Sequence, residues 1–166
     1  RSDAALPKAR ITRVKCWAHP SMNRSFNQSA LLVTVETDIG ITGIGEGGSP
    51  DLVRDLAGSV IGQNPFEIER LWQHMYMDVF YPPGREKIHG QGAIDLALWD
   101  IKGKALNQPV WRLLGGAHPR VPAYATFGFG FFDREQLAAA AKLWVTQGFR
   151  RLKMTVGNEA LRHRDQ

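Results

Sequence analysis

Residues 121–157 follow the order strand, helix, strand, and this order leaves few folds open. The segment reads "VPAYATFG", then "DREQLAAAAKLWVTQG" with an acidic start and a glycine end, then "FRRLKMTVG". Such an order predicts a βαβ unit with two parallel neighbouring strands and a right-handed crossover. Two parallel strands and one helix bury too little apolar surface, because parallel sheets are found with both faces covered. We therefore expect the start of a larger sheet or barrel, and the N-terminal part of a longer protein.

A separate group of strands is predicted near the start of the chain. Polar and apolar residues alternate over 11–17 and again over 30–37, with a polar stretch between them. A tight turn at Asp38–Gly40 leads into a third strand over 41–46. These segments predict a small antiparallel meander.

Three helical segments follow the meander. Ser49 before Pro50 marks the start of the first, and Asn64 before Pro65 marks the start of the second. The third is broken by Pro109, and its apolar residues fall at helical spacing: Ile94, Ala97, Leu98, Ile101 and Ala105. A domain boundary is predicted over 115–119, where the helices end and the βαβ unit begins.

Composition and charge narrow the class of protein. The chain is 43% hydrophobic and 22% charged, which is ordinary for a globular protein. No run approaches the roughly 20 apolar residues that span a bilayer, and the first residues lack the apolar core of a signal peptide, so a cytoplasmic location is expected. The net charge of +5 comes from scattered basic residues without a nucleic-acid motif. This pattern predicts no nucleic-acid and no membrane partner, and it favours small anionic substrates.

Three consecutive segments carry a resemblance to a known family. The order "AIDLALWDIKGKALNQPVWRLLGG", then "VPAYATF", then "GFRRLKMTVG" resembles the enolase superfamily, in particular its mandelate racemase and muconate lactonizing enzyme branch. The first segment is the specific part, with Asp95, Asp100, Gly103 and the closing Leu-Gly-Gly. The resemblance implies an α+β capping domain over 1–117. It also implies that residues 118–166 are the first strand, first helix and second strand of a modified TIM-type β/α barrel.

The resemblance also implies the chemistry. Enzymes of this branch remove the proton from the carbon next to a carboxylate. Such a carbon acid is very weak, so a Mg²⁺ ion stabilises the enediolate while a positioned base takes the proton. The metal ligands of the family are acidic residues at the ends of the third, fourth and fifth barrel strands, beyond residue 166. We therefore expect no magnesium ligand within this chain, and no activity from a fragment with these ends.

Lys153 and Thr155 are the candidate catalytic residues on the second barrel strand. Residues two apart share one face of a strand, here the barrel interior, while Leu152 and Met154 face the helices. Many relatives carry a Lys-x-Lys pair at this place, and its second lysine removes the proton. Alignment on "GF" and the closing glycine puts Lys153 first and Thr155 second, and a threonine hydroxyl stays protonated at neutral pH. The resemblance then implies one-base chemistry from a histidine elsewhere, with Lys153 binding the substrate carboxylate or a hydroxyl.

Other candidates contact the substrate. Thr126 and Tyr124 share one face of the first barrel strand, where polar groups of relatives bind the carboxylate; core packing is the alternative. The polar loop over 18–29 corresponds to the mobile capping loop of the family, and its composition suits a hydroxylated anionic substrate. Three of its residues are substrate-binding candidates: His19, Asn23 and Arg24.

The leading interpretation is a Mg²⁺-dependent acid-sugar dehydratase that acts on a small polyhydroxy carboxylate. A racemase, an epimerase or a cycloisomerase of the same branch is the alternative among enzymes, and Thr155 disfavours the two-base racemase. A truncated or binding protein without catalysis is the alternative outside them. The resemblance implies a homo-oligomer for the full-length protein.

Overall fold

A computed structural model of the chain describes residues 6–18, 31–78, 84–128 and 132–154. The chain divides into two compact units, which we call unit 1 (Arg1–Ala117) and unit 2 (His118–Gln166). Within the described ranges, no helix is both long enough and apolar enough to cross a membrane.

Unit 1 begins with the predicted antiparallel meander, which the structure confirms. Its strands pair in the order β1-β2-β3, where β1 is Ile11–Ala18, β2 is Leu31–Thr37 and β3 is Thr42–Glu46. Side chains alternate between the two faces along β2, and one face is buried. Val33 and Val35 are inaccessible to solvent, whereas Leu32, which precedes Val33, is 42% exposed.

The turn between β2 and β3 is closed by one side chain. The Thr37 hydroxyl donates to the Ile41 carbonyl oxygen at 2.7 Å and accepts from the Ile41 N–H at 3.2 Å. Gly40 between them has φ +77°, a left-handed conformation that glycine adopts without strain. The turn predicted at Asp38–Gly40 is therefore confirmed, and it fixes the register of the hairpin.

The described part of unit 1 continues with four helices: α1 (Pro50–Val60), α2 (Ile68–Met77), α3 (Arg85–Leu106) and α4 (Val110–Leu113). The core lies between the buried face of the meander and the first three of them. Its fully buried side chains include Val53, Leu56, Leu71, Met75, Ile94, Leu98 and Ile101. The helix α3 ends at Leu106, and the φ of +49° at Asn107 lets the Gln108 N–H donate to the Gly103 carbonyl oxygen at 2.9 Å.

The predicted start of the second helix at Asn64 and Pro65 is wrong. Asn64 does not cap a helix; its Oδ1 accepts from the Phe66 N–H at 3.1 Å and closes a local turn. Glu67 is not helical, with φ −87° and ψ 53°, and α2 begins only at Ile68. An asparagine that bonds its own backbone two residues on competes with helix formation, and here the turn wins.

The glycines of β3 allow this strand to lie directly on α3. A Cβ on Gly43 would overlap the Ala97 carbonyl oxygen, and a Cβ on Gly45 would overlap the Ala93 carbonyl oxygen. The glycines that follow the strand meet the same helix, because a Cβ on Gly47 would lie 2.6 Å from the His89 carbonyl oxygen. Close backbone approach, and not only turn geometry, therefore explains the run of alternate glycines.

Unit 2 is the predicted βαβ unit. It consists of β4 (Ala125–Phe127), α5 (Arg134–Thr146) and β5 (Leu152–Met154), and the two strands pair in parallel. Asp133 caps α5 by accepting from the Gln136 N–H at 2.8 Å, and the Gln136 side chain accepts from the Asp133 N–H at 3.0 Å. The acidic start predicted for this helix is confirmed.

The strand β5 is more open than expected. Ala125 and Phe127 of β4 are each 6% exposed, whereas Leu152 is 38% and Met154 is 47% exposed. The helix α5 packs against β4. Among the described residues β5 pairs with β4 alone, and Leu152 and Met154, which were expected to face helices, are partly accessible there.

Candidate substrate-binding site

The strands of unit 2 bring three of the sequence-predicted residues together. Thr126 and Lys153 are register partners in the parallel pair, so both lie on the same face of the two strands. This face is opposite to that of Ala125 and Phe127, which are buried while Thr126 is exposed. Tyr124 comes one residue before β4 and shares the alternation of Thr126. We call the surface formed by Tyr124, Thr126 and Lys153 the open face.

Lys153 and Tyr124 are in contact across the open face. The Lys153 Nζ lies 5.8 Å from the centre of the Tyr124 ring, within the range of a cation–π interaction. Tyr124 is 54% exposed, so the pair is accessible to a solute. Substrate contact and core packing both stay predictions for Tyr124.

The open face has the groups needed to bind an anion. An ammonium offers three N–H donors and a positive charge, and a threonine hydroxyl offers one more donor. Hydrogen bonds from a charged donor to a carboxylate are shorter and stronger than neutral ones. These groups can bind and orient a carboxylate.

Four of the predicted site residues lie outside the described residues. Thr155 follows β5 directly, and His19, Asn23 and Arg24 belong to the loop between β1 and β2. Their roles remain predictions.

Asp100, noted in the sequence only as a signature residue, joins α3 to β3. Its Oδ2 accepts from the Ile44 N–H at 2.9 Å and from the Lys104 Nζ at 2.7 Å. The same Lys104 Nζ donates to the Thr42 carbonyl oxygen at 2.7 Å. The cluster of Asp100 and Lys104 therefore holds the edge strand on the helix, which is a structural role.

Two polar side chains are buried or half-buried on α3. Gln91 is inaccessible to solvent; its Nε2 donates to the Trp72 carbonyl oxygen at 2.8 Å, and its Oε1 has no hydrogen-bond partner in the described parts of the chain. Burial raises the pKa of the Asp95 carboxyl, and the charge of Glu69 raises it further. Neither lies in the unit that contains the open face.

The described residues do not fit a magnesium site. Over 6–18, 31–78, 84–128 and 132–154 there is no group of three or more His, Cys, Asp or Glu side chains that could hold a metal ion. Hard oxygen ligands such as grouped carboxylates are what Mg²⁺ requires. No residue in these ranges is therefore assigned as a metal ligand.

The match to a known family covers unit 1. An antiparallel meander packed on helices and followed by a βαβ unit is the architecture of a capping domain that precedes a β/α barrel. Residues 8–115 match the family described as mandelate racemase / muconate lactonizing enzyme, N-terminal domain. The chain belongs to the mandelate racemase / muconate lactonizing enzyme family. The predicted family and the predicted fold class are confirmed.

Similar proteins include enzymes that act on sugar acids. A D-galactonate dehydratase of Klebsiella pneumoniae is 40% identical over 127 residues, which are 72% of this chain and 31% of that protein. A 3,6-anhydro-alpha-L-galactonate cycloisomerase of Streptomyces coelicolor is 34% identical over 146 residues, 80% of this chain and 39% of that protein. A crystal structure of an enolase from Agrobacterium radiobacter, with Na and L-malate bound, has a TM-score of 0.69 at 30% identity and covers 88% of this chain and 38% of that one. The chain spans less than half the length of these proteins.

Proposed function

We propose that the protein carrying this sequence in full length is an acid-sugar dehydratase. One observation supports this above the others: Lys153 and Thr126 lie side by side on an accessible face, in a member of a family whose relatives include D-galactonate dehydratases. An ammonium beside a hydroxyl suits the carboxylate end of a polyhydroxy acid.

The reaction begins with the substrate carboxylate on the open face. Lys153 donates to the carboxylate and Thr126 donates to a carboxylate oxygen or a neighbouring hydroxyl. Binding in this way turns the α-carbon of the acid toward a base on the other side of the site. Thr155, at the place of the second lysine of the family pair, leaves Lys153 as the cation of this strand.

The chemical steps then balance with one base. The base takes the α-proton, and the electron pair of the C–H bond moves into the carboxylate to give an enediolate. The protonated base returns a proton to the departing β-hydroxyl, which leaves as water, and the enol product becomes a 2-keto-3-deoxy acid. A histidine in the rest of the barrel would serve as this base. A requirement for Mg²⁺ belongs to the proposal through the family, and its ligands are not among the described residues.

A cycloisomerase is the second candidate. The observation that favours it is the similarity to the Streptomyces coelicolor cycloisomerase, which covers a larger share of this chain than the dehydratase does. A cycloisomerase moves bonds within the substrate and releases no water, so the product separates the two candidates. The expected homo-oligomer and cytoplasmic location stay predictions.

The test is an assay of the full-length protein with D-galactonate and a panel of other acid sugars in D₂O. We expect a keto acid in the presence of Mg²⁺, none after EDTA treatment, and recovery when Mg²⁺ is restored. The control is Lys102→Met, because Lys102 is a lysine of unit 1 that stacks on Trp99 at 5.1 Å. It should leave turnover unchanged while Lys153→Met weakens it.

Two results would contradict the proposal. The absence of both α-deuterium exchange and a keto product from every acid tested with Mg²⁺ would exclude a dehydratase. A constitutional isomer of the substrate formed without loss of water would establish the cycloisomerase instead, and a stereoisomer would indicate a racemase or an epimerase.

A further inference from the structure

The proposed binding of the substrate carboxylate uses Lys153 and Thr126 but not the Tyr124 ring. It is a large aromatic side chain that is 54% exposed. Its contact is the Lys153 ammonium, 5.8 Å from the ring centre. A ring that faces a candidate substrate-binding cation can hold that cation in place.

A lysine needs such a neighbour more than most binding residues do. Its ammonium is carried on a flexible four-carbon stem, and each rotamer that points elsewhere reduces the fraction ready to bind. The face of an aromatic ring carries negative electrostatic potential and attracts a cation placed over it. The ring does so without neutralising the ammonium, whereas a carboxylate in the same place would compete with an anionic ligand.

The register of the two strands adds the second donor. Thr126 is the direct partner of Lys153, and Tyr124 stands two residues before Thr126 on the same face. The register therefore places the Thr126 hydroxyl on the same face as the Lys153 ammonium and the Tyr124 ring.

We propose that Tyr124 is a positioning residue for Lys153: its ring holds the ammonium over the open face, next to Thr126, so that an incoming carboxylate meets a preset pair of donors. The inference rests on the proposed function for the identity of the ligand class. Its distinctive consequence concerns the phenol hydroxyl. The ring face acts on the ammonium, so phenylalanine serves in place of tyrosine and leucine does not.

The first test reads the position of the lysine directly and needs no substrate. In full-length protein with ¹³C-labelled lysines, the Lys153 ε signal, assigned by its loss in Lys153→Met, should be shifted by the ring current of Tyr124. We expect the shift to remain in Tyr124→Phe and to vanish in Tyr124→Leu. Lys102, whose Nζ lies 5.1 Å from the Trp99 ring, gives a ring-shifted reference signal that should stay constant in every variant.

The second test separates positioning from a merely structural role. With the polyhydroxy acid that the wild type turns over, Tyr124→Leu should raise KM by about two- to fivefold with kcat unchanged, and Tyr124→Phe should match the wild type. Lys153→Met should raise KM by at least about tenfold, because it removes the charged donor itself. Tyr76→Leu, a change at a 40% exposed tyrosine of unit 1, is the control and should leave KM unchanged.

The outcomes distinguish this inference from the proposed function. A Lys153 signal that is the same in wild type and Tyr124→Leu would overturn the positioning role even if the enzyme is an active dehydratase. A loss in Tyr124→Phe equal to that in Tyr124→Leu would overturn it too, since the hydroxyl would then be the group that acts. If the wild type turns over no acid sugar, the proposed function fails, and the lysine signals still decide whether the ring holds Lys153.

Discussion

The Asp100 side chain joins two elements of unit 1, the strand β3 and the helix α3. A single oxygen, Oδ2, accepts from the Ile44 N–H of the edge strand and from the Lys104 ammonium one turn along its own helix. Lys104 in turn reaches the Thr42 carbonyl oxygen on the same strand. Both the donor and the acceptor side of β3 are thus bound to α3 by the same pair of charges.

Replacing Asp100 by alanine should destabilise unit 1. The change leaves the Ile44 N–H and the Lys104 ammonium without their acceptor, and we expect a loss of about 1–2 kcal/mol in the free energy of unfolding. Urea unfolding followed by circular dichroism measures it. Asp51→Ala is the matched control, because Asp51 pairs with Arg54 on the surface with its side chain 87% exposed, and it should change stability by less than about 0.5 kcal/mol. Equal losses in the two variants would show that Asp100 is only another surface charge.

The sequence predicted which residues share the open face, but not how they touch. Period-two alternation is a property of any strand, so Lys153 and the pair Tyr124 and Thr126 could each be placed on a face from the letters alone. The partnership of Thr126 with Lys153 depends on the register of a parallel pair, and the contact with Tyr124 depends on side-chain rotamers. Neither the register nor the rotamers can be predicted from the local sequence. The role of Asp100 was missed for the same reason, since its partner strand lies far earlier in the chain.

At the scale of elements, β3 packs closely on α3 because two residues of the strand span nearly the same length as four residues of the helix. Gly43, Gly45 and Gly47 face Ala97, Ala93 and His89 in turn, so each step of two residues along the strand meets a step of four along the helix. Two strand residues span about 6.8 Å and four helix residues about 6.0 Å. The strand and the helix run in opposite directions with their backbones in contact.

A side chain at Gly45 should force these elements apart. The Cβ of Gly45→Ala would overlap the Ala93 carbonyl oxygen, which belongs to helix backbone and cannot turn away. We expect a loss of about 1–3 kcal/mol in the free energy of unfolding, measured by urea titration. Gly58→Ala is the matched control: Gly58 is exposed within α1, a Cβ there meets nothing within 4 Å, and the change should stabilise by up to about 1 kcal/mol. A neutral result at Gly45 would contradict the close backbone approach.

The contact of α2 with α3 makes stability depend on pH through Asp95. Burial and the charge of Glu69 raise the pKa of this carboxyl in the folded state, so its ionisation opposes folding at neutral pH. As the pH falls through the raised pKa toward about 4, the ordinary value for aspartate, the folded and the unfolded chain both become protonated and the penalty disappears.

We therefore expect Asp95→Asn to be more stable than the wild type at pH 7 and to lose this advantage near pH 3.5. Denaturant unfolding at both pH values measures the difference between the two proteins, in which the other titrating groups cancel. Asp55→Asn, a change at an exposed aspartate of α1, is the matched control for the substitution itself. An advantage of the same size at both pH values would mean that Asp95 does not titrate as described.

The elements themselves were largely predictable, and the wrong start of the second helix has a local cause. Strong hydrophobic periodicity, with glycine and proline residues at the ends of elements, located the three strands of the meander and α3 to within a few residues. The error at Asn64 came from two uses of the same side chain, because asparagine serves equally well as a helix cap and as the first residue of a turn. Phe66, 9% exposed, is part of the core, and this tertiary contact accompanies the turn.

Among the described residues of the whole chain, the buried apolar side chains are unevenly distributed. The core cluster lies entirely in unit 1, and among the described residues of unit 2 only Ala125 and Phe127 are buried apolar side chains. The candidate substrate-binding site lies in unit 2, and the helices of unit 1 carry none of it.

The fold of the whole could be predicted further than its chemistry. The order of elements and one signature segment were enough to predict the fold class, because both can be read from consecutive residues. A metal site and a base gather side chains from distant strands, and the described ranges contain no such gathering. For the same reason the proposed reaction depends on the relatives and on the open face together.

The central place of α3 has a consequence for synthesis on the ribosome. The helix packs on β2 and β3 and on α1, α2 and α4, yet it is the last long element of unit 1 to be translated. At about 5–20 residues per second, the roughly 60 residues between the end of β3 and the end of α3 take on the order of 3–12 s to make. Until α3 is complete, the nascent meander lacks the helix that packs on both β2 and β3. Unit 1 can complete its core only when α3 has emerged, so its folding depends on translation. A translational pause between β3 and the end of α3 would lengthen the time for which Val33 and Val35 are accessible to chaperones.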